Sequence, residues 1–154
     1  MQAVLQEVES MSMWVVLVYK IPREPAAGRV YVWRKLKRLG ALLLHDAVWL
    51  LPATPWTREQ FQWLAVEIRE LGGEALVWES RMVLPGQDEA LVQQFVADVD
   101  AAYRAVLAAV QQADADLPAL ARQYQQVQAR DYFQSPLGQQ VRAALLRARE
   151  GDAP

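Results

Sequence analysis

Between Lys20 and Arg38 the chain carries seven cations (Lys20, Arg23, Arg29, Arg34, Lys35, Lys37 and Arg38) against the single acid Glu24, a local charge of +6 in a 154-residue sequence of formal net charge −2. The chemistry open to such a cluster is anion recognition, since guanidinium groups meet phosphate and carboxylate oxygens with paired, charge-assisted hydrogen bonds. Arg23 and Arg29 flank the predicted start of a helix, where backbone N–H groups and the helix dipole also favour negative charge. They are the candidate anion-binding pair, for a phosphate of DNA or for a free tetrahedral oxyanion. Arg29, Arg34, Lys35, Lys37 and Arg38 are the candidate DNA-binding set, because side chains along one helix can neutralise successive phosphates. A solvated helix face is the plainer reading of the same run, as is an ordinary surface pair of an arginine with Glu24.

Other chemistries find less support. The sequence has no cysteine and one histidine, which removes disulfides, thiolate nucleophiles and Cys-type zinc sites from consideration. His45 and Asp46 form a histidine–carboxylate neighbour pair, but no nucleophile stands beside them, and adjacent strand residues face opposite ways. The acids show no spacing that defines a metal site, and no glycine-rich phosphate loop follows a strand. No catalytic residue, no metal and no cofactor is expected.

The elements that position the basic cluster are well punctuated. Trp14–Ile21 is a continuous apolar run ended by Pro22, the pattern of a strand buried on both faces. Pro22 and Pro25 force an extended exit, and a helix is predicted from Ala26 to Leu39 with Gly40 just past its end. At 100° per residue Val32, Trp33, Leu36 and Leu39 share one face, with the cations opposite and Val30 and Tyr31 within the basic arc. Ala41–His45 and Val48–Leu51 read as a hairpin. A second helix is predicted with Thr57 as N-cap, Gln60 as its capping-box partner, and Phe61, Leu64, Ala65, Ile68 and Leu71 as its buried stripe. Trp63 and Val66 point away from that stripe, which makes Trp63 a candidate interface residue if the later helices do not cover it. Glu74–Val83 is the fourth strand. The order strand, helix, strand, strand, helix, strand is the split βαβ pattern of a ferredoxin-like sandwich, with both helices on one face and the first and third strands in the middle.

Beyond Gly86 the composition changes to helical and acidic, with six acids against Arg104 up to Asp116. Three helices are predicted: Gln87–Gln112 with the stripe Val92, Phe95, Val99, Tyr103, Val106 and Val110; one capped by Asp116; and one entered through Ser135-Pro136, with Leu137, Val141 and Leu145 in register. The expected organisation is α+β: residues 1–12 a leader, 13–85 the ferredoxin-like domain, 86–150 a helical extension packed on it, and 151–154 a fraying tail. No apolar run approaches the roughly 20 residues of a membrane span, and the N-terminus lacks the early cations of a secretory signal. A cytoplasmic protein is the expectation.

The run WVVLVYKIPREPAAGRVYVWRKLKRLGALLLHDAVWLLP, the following TPWTREQFQWLAVEIRELGGEALVWES and the later ARDYFQSPLGQQVRAAL together resemble the N-terminal domain of the chromate-resistance regulator family ChrB. The resemblance implies a chromate-responsive, DNA-binding transcriptional regulator of a chromate efflux operon, with operator DNA as partner and chromate or sulfate as candidate effector. Full-length members carry a further C-terminal domain, so the expectation from the resemblance is that sensing is either absent here or supplied by a partner protein with that domain. The strand–helix–hairpin portion is similar to the domain of the phenylacetate repressor PaaX and of the small CRISPR adaptation endonucleases, which implies a homodimer. Those endonucleases end their first strand in a metal-binding aspartate. Here the corresponding stretch is Val18-Tyr19-Lys20, which argues against a nuclease and leaves an oxyanion-sensing accessory protein as the alternative to a DNA-binding regulator.

Overall fold

The computed structural model describes residues 13–45 and 48–151. The expected leader 1–12, Asp46 of the His45–Asp46 pair, and the tail beyond Gly151 lie outside the described residues. The chain divides between Asp88 and Glu89 into two compact units.

The first unit is α+β. Strand β1 (Met13–Lys20) is followed by helix α1 (Ala26–Leu39), the hairpin β2 (Leu42–Leu44) and β3 (Val48–Pro52), helix α2 (Pro55–Glu70) and strand β4 (Glu74–Arg81). The four strands form one antiparallel sheet in the order β2-β3-β1-β4. The two central strands are the ones that read as unbroken apolar runs: Trp14, Val15, Val16 and Leu17 on β1 and Trp49, Leu50 and Leu51 on β3 are all buried. Side chains alternate across a sheet, so burial of consecutive residues means that both faces are covered there. Each such side chain contributes about 1.5–3 kcal/mol of apolar burial.

Helix α1 has the predicted bounds. Gly40 takes φ 73°, and the N–H groups of Gly40 and Ala41 bond back to the carbonyls of Lys37 and Leu36, a termination open to glycine because a Cβ is penalised at positive φ. Its buried face is Val32, Leu36 and Leu39, whereas Trp33, expected on that face, is 51% exposed. One residue step of about 100° carries Trp33 past the edge of a stripe that three aliphatic residues already fill.

Helix α2 starts earlier than expected. Thr54, not Thr57, is the N-cap, because Pro55 supplies the first helical residue, where a missing N–H is harmless. Thr57 sits at the third position, fully buried, completing a capping box in which its Oγ1 accepts from the Thr54 N–H at 2.8 Å and donates to the Pro52 carbonyl at 2.6 Å. Phe61, Leu64 and Ile68 are buried as predicted, but Leu71, past the helix end, is 42% exposed. Trp63 is 58% exposed and Val66 is exposed. Strand β4 stops at Arg81, two residues short of the expected Val83, and Val83 is left exposed.

The second unit contains most of helix α3 (Gln87–Val110) and all of α4 (Leu117–Ala129) and α5 (Pro136–Gly151). On α3 the buried stripe is Leu91, Phe95, Val99, Tyr103 and Val106; Leu91 takes the place predicted for Val92, and the helix ends at Val110 rather than Gln112. The Asp116 side chain caps α4 by accepting from the Ala119 N–H at 3.2 Å. Val99, Tyr103, Val106, Leu120, Val127 and Val141 form the core of this unit. Tyr103 donates to Asp131 at 2.8 Å, Asp131 accepts from the Ser135 N–H at 3.1 Å, and the Ser135 hydroxyl donates to Asp100, so one network holds the α4–α5 turn. Burial, with the Asp131 carboxylate next, raises the Tyr103 phenol well above its ordinary range. Gly151 closes α5 instead of opening a tail.

Candidate anion-binding cleft and basic helix face

The sheet register and the placement of α1 build one open cleft at the C-terminal end of β1. Trp49 pairs with Leu17 across the β1–β3 ladder, and Tyr19, two residues on, projects from the same face. The first two turns of α1 lie beside this face, and Pro22 to Pro25 carry the chain between them. The resulting cleft, about 650 Å³, is lined by Tyr19, Lys20, Ile21, Arg23, Ala26, Arg29, Val30, Trp33, Arg34 and Trp49. Four of these are cations and none is an acid. The predicted pair Arg23 and Arg29 therefore does converge, and Lys20 and Arg34 join it. Helix α1 has no side-chain cap at Pro25 and no acid in its first turn, so its N-terminal donors meet no carboxylate from within the helix.

The aromatic lining was not legible in the sequence. Trp49 forms part of the lining, 3% exposed, and its side chain neighbours the Tyr19 hydroxyl. Burial raises the Tyr19 phenol above its ordinary range, against the opposing influence of Trp49 and of the nearby Arg29 charge. Trp33 stands at the rim, with the Lys37 ammonium 5.6 Å from its ring centroid.

The candidate DNA-binding residues divide into two groups. Arg29, Arg34, Lys37 and Arg38 are exposed and form no ion pair with a described acid. Lys35 is different: its ammonium bonds to Glu67 of α2 at 2.8 Å, and Tyr31 of α1 donates to the other oxygen of the same carboxylate. The Glu67 hydrogen bond is the main reason that Lys35 is held above its usual range. Burial alone pushes Glu67 upward, but the bonds from Lys35 and Tyr31 outweigh it and leave the carboxyl below its usual range. Lys35 thus joins the two helices and is not free to meet an external anion.

Trp63 is exposed on α2, with its indole N–H donating to Glu59 at 3.3 Å. His45 is exposed and lies in the turn just past β2, at φ 52°, outside the strand expected to include it. Among the described residues no group of three or more His, Asp or Glu side chains is placed to hold a metal ion, and no helix is long and apolar enough to cross a membrane.

Comparison with known proteins places this architecture in a family. Protein ChrB of Cupriavidus metallidurans is 37% identical over 65 residues, which span 42% of this chain and 19% of that relative. The aligned stretch thus covers about a fifth of the curated protein's length. No solved structure matches. Residues 29–119, from the cleft residue Arg29 through the basic face of α1 to the first turn of α4, match the family described as Protein ChrB, N-terminal, and the chain belongs to that family.

Proposed function

We propose that the chain is a DNA-binding regulatory module of a chromate-resistance system, using the outer face of α1 to grip the phosphate backbone. The observation that carries this reading is the row Arg29, Arg34, Lys37 and Arg38: exposed, in no ion pair with a described acid and on one helix, in a chain whose total charge is negative. Four fixed cations along 14 residues of helix supply sequence-independent attraction that steers a protein to DNA, and a second copy would double the contact. The strand order β2-β3-β1-β4 supports a ferredoxin-like sandwich. We take the module to act in the cytoplasm, as a homodimer, without enzymatic activity and without a resident cofactor.

The test is binding of the full chain to its own upstream DNA at low and physiological salt, with and without chromate. Binding that weakens steeply with salt and is released by chromate supports a sensor-regulator. Absence of binding under all conditions refutes it.

In a second reading, Arg23 and Arg29 hold chromate or sulfate in one part of the cleft and the protein signals through a partner at Trp63. Saturable quenching of tryptophan fluorescence by chromate, corrected for its own absorption, supports this reading, since Trp33 and Trp49 line the cleft. A flat titration removes it.

A further inference from the structure

We infer that the cleft at the start of α1 takes a nucleoside phosphate, either free or at the end of a single strand. This rests on the size and lining of the cleft: Arg29 and Arg34 are shared with the cationic row proposed for duplex DNA, whereas Tyr19, Trp33 and Trp49 belong to the cleft alone.

Size separates the candidates first. The cleft measures about 650 Å³, within the roughly 300–1,000 Å³ typical of sites for whole small molecules. A tetrahedral oxyanion is only a few times larger than a water molecule, whose share of liquid volume is about 30 Å³, and would fill a corner of it. The lining then says what the remaining space suits. Lys20, Arg23, Arg29 and Arg34 offer positive charge with no carboxylate among them, and the half-exposed Trp33 offers aromatic surface in the same cavity, beside Tyr19 and the largely buried Trp49. Guanidinium groups beside aromatic rings are what a phosphorylated, planar base requires: charge-assisted hydrogen bonds for the phosphate and a stacking surface for the ring.

Trp33 is the residue that makes the distinction. An oxyanion has no use for a half-exposed indole at the mouth of its site, and the stacked bases of a duplex cannot reach one. An unstacked base can. Lys37 beside the indole and Arg34 on the cleft wall keep the rim positive, so an incoming phosphate and its base meet complementary groups together.

The experiment is isothermal titration of the full chain at low salt with four probes: adenosine 5′-monophosphate, ribose 5-phosphate, inorganic phosphate, and a 5′-phosphorylated single-stranded tetranucleotide. The nucleotide is expected to bind about tenfold more tightly than ribose 5-phosphate or inorganic phosphate, the increment that one base–aromatic stack supplies. Trp33→Ala should abolish that advantage without altering the weak binding of inorganic phosphate. Arg29→Gln should weaken every probe. Trp33 is 51% exposed, so its replacement leaves the core intact, and circular dichroism checks that it does. A tetranucleotide that binds more tightly than the mononucleotide assigns the site to a strand end; equal or weaker binding assigns it to the free nucleotide. Nucleotide binding no tighter than that of inorganic phosphate, or unchanged in Trp33→Ala, overturns the inference.

Discussion

Neutralising one cation on α1 should change DNA affinity by an amount that depends on whether the structure already engages that cation. Arg29, Arg34, Lys37 and Arg38 form no ion pair with a described acid, whereas Lys35 is held by Glu67 at 2.8 Å. If each free cation meets one phosphate, the slope of log K against log salt is about −0.9 per contact, or about −3.6 for the four. Between 50 and 200 mM salt that is a loss of roughly 150-fold in affinity for one protomer, and the square of this for a dimer gripping with both helices. Arg34→Gln should reduce the magnitude of the slope by about 0.9 on every duplex sequence alike, whereas Lys35→Gln should leave it nearly unchanged. Glu67→Gln should go the other way, because it frees Lys35 and adds up to one contact. Fluorescence anisotropy with a labelled duplex, titrated at four or five salt concentrations, measures all three variants. Equal losses in Arg34→Gln and Lys35→Gln would refute the division of the helix into engaged and free cations, and a slope near zero in the parent would refute backbone binding altogether.

Three stability predictions accompany it. Gly73→Ala should destabilise the first unit by about 1–3 kcal/mol or more in urea unfolding, because an added Cβ would collide with the Lys20 carbonyl and lie 2.9 Å from Ile68 Cγ2. Thr57→Val should cost about 1–3 kcal/mol, since it leaves the Thr54 N–H and the Pro52 carbonyl without their side-chain partner in a fully buried position. Tyr103 titrates above its ordinary value of 10.0 in the folded state, so the stability it contributes is present in full below pH 10 and declines as the pH rises beyond it. Tyr103→Phe should therefore flatten the alkaline loss of stability, while removing about 0.5–1.5 kcal/mol at neutral pH with the Asp131 hydrogen bond.

The parts of the fold that were legible are those written in local punctuation. The prolines at 22 and 25 and Gly40 bracket α1 to the residue, and continuous apolar runs marked β1 and β3 as the central strands. Local signals also misled. Thr57 with Gln60 has the spacing of a capping box, but Thr54 three residues earlier has a proline behind it and takes the cap. The convergence of Arg23 with Arg29 followed from one short turn and could be read. The addition of Tyr19 and Trp49 could not, because it depends on the register of β1 against β3, thirty residues apart in the chain. Nor could the fate of Lys35, since nothing near it in sequence announces that Glu67 will come alongside.

The joint at Gly73 bears on how such a cleft can change over time. The turn from α2 into β4 presses backbone against the carbonyl of Lys20, so the end of β1 is seated by main-chain contact rather than by the side chains that face the cleft. The exposed part of the lining, Arg23, Arg29, Trp33 and Arg34, can therefore be exchanged without unseating the strand, whereas Trp49 serves the core as well. Foldability and ligand choice overlap only at such buried positions, and related chains could diverge in what they recognise while keeping the same mount.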